Sequence, residues 1–250
     1  MRCRSCLRSR HDRALLRFPQ RGKKLFSCRR TLRTRYCAIR SQPTEPSCPS
    51  SDVAFSPAVK AVQAQRGSRE RYARVEEKGG WRTTVTPDLA GFLAEVRSFY
   101  LATASAEGQP YVQHRGGPPG FLRVVDERTL GFADFRGNRQ YITTGNLAEN
   151  GKAFIFVMDY AQRRRVKLWG RARVVEDAAL LARLWPEGYE ARPEQAILFA
   201  IEAWDTNCPQ HIPQLFAAED VARTVLQFQA RVRELEAEVA ALKSGPGVAS

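Results

Sequence analysis

The chain has 250 residues, a formal net charge of +14 and 43% hydrophobic residues. This length allows one large domain or two small ones, and either can bury a substantial core. The charge does not indicate nucleic-acid binding, because residues 1–50 carry 14 of the 40 Lys and Arg residues and only two acidic residues. The rest of the chain has 26 basic and 24 acidic side chains, and this near-neutral balance predicts no nucleic-acid partner.

Residues 1–50 form a basic, Arg- and Cys-rich segment that we predict to be a disordered extension. Its composition resembles a transit peptide, but it lacks a sustained apolar face, and an over-extended gene start upstream of Ser51 explains the same features. A zinc site at Cys3 and Cys6 would need a second close pair or nearby histidines, so we predict no metal. The remainder contains a single cysteine, Cys208, and no long apolar run, which predicts a cytoplasmic protein that does not enter a membrane.

Helix signals come first along the remaining chain. Residues 51–80 are predicted to form a helical segment, with two short helices separated by a turn at Gly67. A third helix is predicted from Thr86, with Leu89, Phe92 and Leu93 on one face.

Short strands and tight turns then alternate. Strands are predicted over 98–104, 110–115, 121–125, 129–134, 152–160, 164–175 and 195–204, with short helices over 140–147 and 177–185. Many short strands with few helices predict a mainly β domain, built as an antiparallel barrel or sandwich.

A long helix is predicted over 218–241, within a C-terminal region covering 217–250. Valines recur every seven residues at 225, 232 and 239, and mostly larger apolar residues recur at 221, 228, 235 and 242. This pattern is typical of a coiled-coil seam between two helices. The alternative is a single helix docked on its own barrel.

Gln113, His114 and Arg115 follow one another on a predicted strand and form the first candidate cofactor-binding group. The loop 116–120 that follows is rich in Gly and Pro. Glycine allows a ligand to approach the backbone closely, so this loop favours a binding role for the strand.

Arg136, Asn138, Arg139 and Gln140 form the second candidate group, directly before a predicted helix. Arginine makes bidentate contacts with phosphate, and a helix N-terminus offers unpaired amide donors to an anion. We therefore predict that this loop binds a phosphate.

Two further groups are weaker candidates. Arg165 and Lys167 share one face of a strand, and we predict that they contact the same ligand. Gln210 and His211 lie in a Pro-containing turn and are candidates for a substrate pocket. Cys208 precedes His211 by three residues, but no third group orients the pair, so we predict no cysteine catalysis and assign no catalytic residue.

Several motifs together resemble one family. YVQHRGGPPGFL, GFADFRGNRQY, NLxxN, RRRVKLWGRARVV and NCPQH are similar to the pyridoxamine 5′-phosphate oxidase-like FMN-binding split-barrel proteins. The resemblance covers the predicted domain at 81–216. It implies a six-stranded antiparallel split barrel and a homodimer that holds two FMN molecules between its subunits.

The resemblance also implies roles for individual residues. Gln113 to Arg115 would lie along the flavin ring and ribityl chain, and Asn138 to Gln140 would hold the FMN phosphate. Arg165 and Lys167 would reach the flavin of the partner subunit. The oxidase pattern has a second cation where this chain has Gln140, so phosphate contacts would shift to Arg115 or Arg136.

The activity that the resemblance implies is that of an FMN-dependent oxidoreductase. Such an enzyme would transfer a hydride at the flavin, acting on a small-molecule substrate with NAD(P)H as a candidate donor. The segment that completes pyridoxal-phosphate binding in the oxidase is not recognisable, which argues against vitamin B6 oxidation. The alternative is a non-catalytic flavin-binding or flavin-reductase-like protein, and related split barrels bind a deazaflavin or haem instead of FMN.

Overall fold

The fold is a single antiparallel sheet with flanking helices, seen in a computed structural model that describes residues 48–206 and 209–244. The strands are β1 (Ser98–Ala104), β2 (Pro110–Gly116), β3 (Arg123–Asp126), β4 (Thr129–Phe135), β5 (Lys152–Asp159), β6 (Arg164–Val175) and β7 (Pro193–Thr206). The α-helices are α1 (Pro57–Gln65), α2 (Arg69–Glu76), α3 (Pro87–Ala94), α4 (Ile142–Glu149), α5 (Ala178–Leu184) and α6 (Ala218–Ser244), and a 3-10 turn spans Ser50–Val53.

The strands follow the order β2-β1-β5-β6-β7-β4-β3, and all paired neighbours are antiparallel. The mainly β, antiparallel split-barrel prediction is confirmed, but the sheet has seven strands where the resemblance implied six. The short strand β3 lies at one edge of the sheet. It begins at Arg123, later than predicted, because Phe121 and Leu122 are buried in the core before the chain enters the sheet.

The core lies on the concave face of the curled sheet. Alternate residues of β1 and β6 point inward, with Phe99 and Leu101 buried in β1 and Val166 and Leu168 buried in β6. Helix α3 closes one side of the core with its predicted apolar face. Leu89, Phe92 and Leu93 are buried there, and the side chain of Thr86 caps the helix by accepting from the Leu89 amide at 3.3 Å.

The two edge strands of the sheet, β2 and β3, create the split. Strand β3 pairs with β4 only as far as Gly131, so the Phe132–Phe135 part of β4 pairs with β7 on one side alone. Strand β2 pairs with β1 alone. Side chains of β2 and β4 can therefore meet across a gap that no backbone ladder fills.

The N-terminal helices flank the outer face of the sheet. Gly67 adopts a φ of 73° between α1 and α2, which matches the predicted turn. The Trp81 ring stacks on Trp169 of β6 with centroids 4.6 Å apart. Helix α6 at the other end is longer than predicted and reaches Ser244. No helix among the described residues is long and apolar enough to cross a membrane.

Candidate functional site

A cleft opens at the split, and five of the nine predicted cofactor-binding residues line it. Strand β2 supplies Gln113 and Arg115, and the end of β4 supplies Asp134 and Phe135. The loop between β4 and α4 and the first turn of α4 form the opposite wall. The remaining residues of the cleft are Tyr111, Gly137, Asn138, Arg139, Gln140, Tyr141, Ile142, Thr143, Thr144 and Glu194.

Polar contacts fix the floor of the cleft. The Arg115 guanidinium and the Asp134 carboxylate form an ion pair. Gln195 Nε2 donates to the other Asp134 oxygen and to the Thr144 hydroxyl, in both cases at 2.9 Å. The Thr143 hydroxyl donates to Gln113 Oε1 at 2.9 Å. These contacts join β2, β4, β7 and α4, so the floor is preorganised before a ligand arrives.

One donor on this floor has no acceptor. Arg115 Nε is buried and has no hydrogen-bond partner among the described residues. Buried polar groups in folded proteins are almost always paired, and an unpaired one calls for an explanation such as a missing ligand.

The wall formed by the β4–α4 loop has an unusual backbone. Arg139 and Tyr141 adopt φ angles of 61° and 52°, in the left-handed region. Asn138 Oδ1 accepts from the Gln140 amide at 3.2 Å, which forms a turn. Helix α4 therefore begins at Ile142, and the prediction that it begins at Gln140 is wrong, because Tyr141 is left-handed and cannot lie inside a right-handed helix.

The N-terminus of α4 is open to the cleft. Tyr141 occupies the N-cap position, but its side chain accepts no hydrogen bond from the amides of the first turn. The hydroxyls of Thr143 and Thr144 lie in the same turn and also line the cleft. The wall combines amide donors, hydroxyls and the favourable end of the helix dipole, which together suit an anion.

Arg139 is the cation of this wall. Its Nε donates to the Tyr141 hydroxyl at 3.2 Å, and that hydroxyl lies 3.4 Å from Glu194 Oε1. The hydrogen bond to Tyr141 raises the pKa of Arg139 further above its ordinary value, so the guanidinium stays charged at any working pH. Arg136 is different. It does not line the cleft, and its Nε lies 3.8 Å from Glu194 Oε1.

The other predicted residues lie away from the cleft of their own chain. His114 points to the opposite face of β2, where its ring meets Tyr100 edge-on at 5.6 Å. Lys167 Nζ pairs with Asp205 at 3.2 Å on the outer face of β6. Gln210 and His211 are exposed in the turn after β7. Cys208, and the cysteines considered for zinc up to Cys37, lie outside the described residues.

Arg165 lines a second cleft of about 290 Å³ that also contains Arg82 and Arg164. The Arg82 guanidinium lies 5.2 Å from the Trp204 ring centroid, and that of Arg164 lies 4.8 Å from the Phe92 ring. Arg165 Nε is buried without a partner among the described residues, like Arg115 Nε.

The Gly- and Pro-rich loop after β2 packs closely on its own chain at Gly117 and Gly120. A Cβ on Gly117 would lie 2.6 Å from Cγ of Phe121, and Gly120, with a φ of 75°, would bring a Cβ within 3.2 Å of the Ala94 carbonyl oxygen. These glycines allow close packing of the loop on Phe121 and α3. The predicted ligand approach at this loop stays a prediction.

Some cleft residues were missed by sequence reasoning. Asp134 and Gln195 lie on separate strands and meet only because β4 pairs with β7. Thr143 and Thr144 carried a usable signal, since two hydroxyl residues directly follow the Arg-rich loop at a helix start. Within the described part of the chain, no three His, Cys, Asp or Glu side chains cluster as a metal site would require.

Comparison with known proteins identifies the barrel. Residues 85–208 match the family model described as pyridoxamine 5′-phosphate oxidase. The barrel domain belongs to the pyridoxamine 5′-phosphate oxidase-like family. The match begins just before α3 and ends just after β7, so it contains every strand of the sheet. A comparison with curated proteins found no match.

Three solved structures resemble this oxidase-like barrel. HupZ of Group A Streptococcus is 19% identical over 53% of this chain and 99% of its own, with a TM-score of 0.42. A protein from Clostridium acetobutylicum related to general stress protein 26 is 16% identical over 50% of this chain and 88% of its own, with a TM-score of 0.36. An FAD-binding protein from Mycobacterium smegmatis is 18% identical over 50% of this chain and 97% of its own, with a TM-score of 0.35.

Proposed function

We propose that the oxidase-like barrel binds FMN in the cleft at the split and acts as an FMN-dependent oxidoreductase on a small molecule. The main support for the proposal is that two groups of polar residues line the same cleft from opposite sides. One wall is the polar edge of β2, with Gln113 and Arg115, and the other is the cationic loop leading into the uncapped helix α4.

The loop and the start of α4 would hold the phosphate. Arg139 supplies the charge, and the backbone amides and the hydroxyls of Thr143 and Thr144 supply further donors. A charged donor next to a helix N-terminus is a common way to bind a phosphate. Arg115, suggested above as a replacement for the second cation, is already paired with Asp134, so the main charge on the phosphate comes from Arg139.

The edge of β2 would hold the ring and the ribityl chain. Gln113 accepts from Thr143 through its amide oxygen, which leaves its amide nitrogen free to donate to a ligand. Arg115 Nε offers a second donor that is buried and unpaired among the described residues. The oxygen and nitrogen atoms along a flavin ring edge and the ribityl hydroxyls are acceptors that fit these two donors.

A bound flavin would supply hydride transfer, and the residues of this chain would bind and orient it. The cleft contains two carboxylates. Both oxygens of Asp134 have partners, Arg115 and Gln195, whereas Glu194 contacts Arg136 through one oxygen. This arrangement suits a site in which the protein positions the cofactor and leaves the redox step to it.

A second subunit would complete the site. The cleft of one chain encloses only about 50 Å³, whereas complete small-molecule sites measure roughly 300–1,000 Å³. His114, Arg165 and Lys167 lie outside their own cleft on outward faces, which suits a contribution to the cleft of a partner. We therefore propose a homodimer with two flavin sites.

The first experiment is spectroscopic. The purified full chain is examined for a flavin absorption spectrum, and stripped protein is titrated with FMN, riboflavin and FAD while flavin fluorescence is followed. Saturable quenching with FMN preferred over riboflavin is expected because Arg139 and α4 bind the phosphate. A protein that quenches none of the three would overturn the proposal.

The second experiment separates an enzyme from a flavin-binding protein without activity. NADH and NADPH are added to the FMN-loaded protein without oxygen, and the loss of flavin absorption is recorded. Bleaching faster than that of free FMN supports an oxidoreductase. Tight FMN binding without bleaching by either donor or by other small reductants supports the non-catalytic alternative.

A further inference from the structure

Helix α6 carries an exposed apolar stripe along its whole length. In a heptad with positions a to g, Val225, Val232 and Val239 occupy a, and the d positions are Val221, Phe228, Leu235 and Leu242. These seven side chains keep between 42% and 82% of their surface exposed. A stripe of this regularity facing solvent is unusual in a folded chain and marks an interaction surface.

The charged residues beside the stripe indicate which partner would bind to it. In a parallel, in-register pair of helices, each g residue faces the e residue five positions later on the other helix. Arg231 at g would then face Glu236 of a second copy, and Glu238 at g would face Lys243. Both pairs combine opposite charges, and two-fold symmetry repeats each of them. The helix is therefore complementary to itself.

The identity of the core residues also favours this arrangement. β-Branched residues at a with leucine at d favour a parallel coiled coil of two strands. Every a position from 225 onward is valine, and the d positions from 228 onward are phenylalanine or leucine. Stacked layers of identical residues form only if the two helices run in the same direction.

We propose that α6 pairs with α6 of a second copy of this chain as a parallel, in-register, two-stranded coiled coil. The proposal rests on the stripe and its flanking charges. It does not depend on flavin binding, since none of its residues lines the cleft at the split. A pair of this kind would join two chains along a common axis beyond their barrels.

A cysteine at position 239 tests both pairing and direction. In the proposed dimer the two Val239 residues face each other, at a distance that a disulfide can span. The full-length Val239→Cys variant should form a covalent dimer under mild oxidation. Ala237→Cys is the matched control, because this exposed residue lies on the outer side of the same helix and on the same tryptic peptide. Mass spectrometry of the linked peptide shows whether position 239 is joined to itself.

Three outcomes would overturn the proposal. The first is equal cross-linking at positions 237 and 239, or none at either. The second is a disulfide between Val239→Cys and Phe228→Cys in a mixture of the two variants, without linkage of 239 to itself, since only an antiparallel pair brings these positions together. A covalent species whose mass in solution exceeds two chains would also overturn the two-stranded form.

A charge exchange tests the proposed register. In the Val239→Cys background, Arg231→Glu and Glu236→Arg should each lower the cross-linking yield, because each places like charges across the interface. The two changes together should restore the yield. Within one helix Arg231 contacts Glu234 at 3.0 Å and Glu238 at 3.9 Å. Glu236→Arg replaces neither contact, so a restored yield would report pairing between chains. A double variant that is no better than either single variant would overturn this register.

Discussion

Arg115 and Asp134 form an ion pair that joins strands β2 and β4 where no backbone hydrogen bonds connect them. Both side chains are largely buried, with 13% and 12% of their surfaces exposed. Gln195 holds the second Asp134 oxygen at 2.9 Å. The pair therefore closes the split with side chains and forms the floor of the proposed flavin cleft.

Breaking this pair from one side should destabilise the fold. Arg115→Met removes the cation and leaves the Asp134 carboxylate largely buried without its countercharge. We expect a loss of about 3 kcal/mol in the free energy of unfolding, measured by urea denaturation, because an uncompensated buried charge is costly. The double variant Arg115→Met with Asp134→Leu should recover part of that loss. A double variant that loses the sum of both single effects would contradict the coupling of the two residues.

Arg139→Ala should weaken FMN binding selectively. A charged hydrogen bond contributes about 1.5–3 kcal/mol, so FMN affinity should fall roughly 10- to 100-fold. Riboflavin affinity should hardly change, since riboflavin lacks the phosphate. Fluorescence titration of both ligands measures the difference. Arg136→Ala is the matched control, because Arg136 lies outside the cleft beside Glu194 and its side chain is 41% exposed. A larger loss for Arg136→Ala would assign the phosphate to that arginine instead.

Gly170→Ala should strongly destabilise the sheet. Gly170 lies in β6 at a register shift against β7, and a Cβ there would stand 2.1 Å from the Ala200 carbonyl oxygen. The backbone would have to move, so we expect a loss of about 3 kcal/mol or more in unfolding free energy. Gly145→Ala is the control, since nothing lies within 4 Å of the added Cβ. As alanine favours helix over glycine, that change should leave stability equal or raise it by about 1 kcal/mol.

Asp126→Asn should show a pH-dependent effect on stability. The Arg128 amide donates to Asp126 Oδ1 at 2.8 Å and lowers the pKa of that carboxyl below its ordinary value. A lowered pKa in the folded state means that the ionised form stabilises the fold above the unfolded-state pKa. This contribution is lost as the pH falls through the folded-state pKa.

The wild type should therefore be more stable than Asp126→Asn near neutral pH, and the difference should disappear in strong acid. Because the carboxylate is exposed, the difference should stay below about 1 kcal/mol. Urea denaturation at a series of pH values below neutrality measures it. A difference that grows on acidification would contradict the assigned direction.

Local patterns in the sequence were sufficient for most of the fold. Period-two alternation indicated β6, and the bounds Ser98–Ala104 of β1 and Arg164–Val175 of β6 match the predicted ones. The N-cap Thr86 and the apolar face of α3 fixed that helix. The predicted start of α4 was wrong because the left-handed conformation of Tyr141 is not visible in a local sequence pattern.

The candidate site was predictable only in part. Gln113, Arg115 and the loop from Asn138 to Gln140 line one cleft, and their contacts with FMN stay a prediction. His114 points the other way because neighbouring residues on a strand face opposite sides. The involvement of Asp134 and Gln195 depends on which strands become neighbours in space, and a sequence pattern does not specify that pairing.

The position of β7 has a consequence for how the chain is made. β7 is the last strand of the described part of the sequence, yet it lies inside the sheet between β6 and β4. During synthesis, the β1–β2–β5–β6 unit and the β3–β4 hairpin must wait with open edges until residues 193–206 emerge from the ribosome. Such edges can pair with other chains. Nascent chains stalled before residue 193 should therefore require chaperones. The synthesis of β7, which covers the open edges of β6 and β4, sets the time at which these two edges can no longer aggregate.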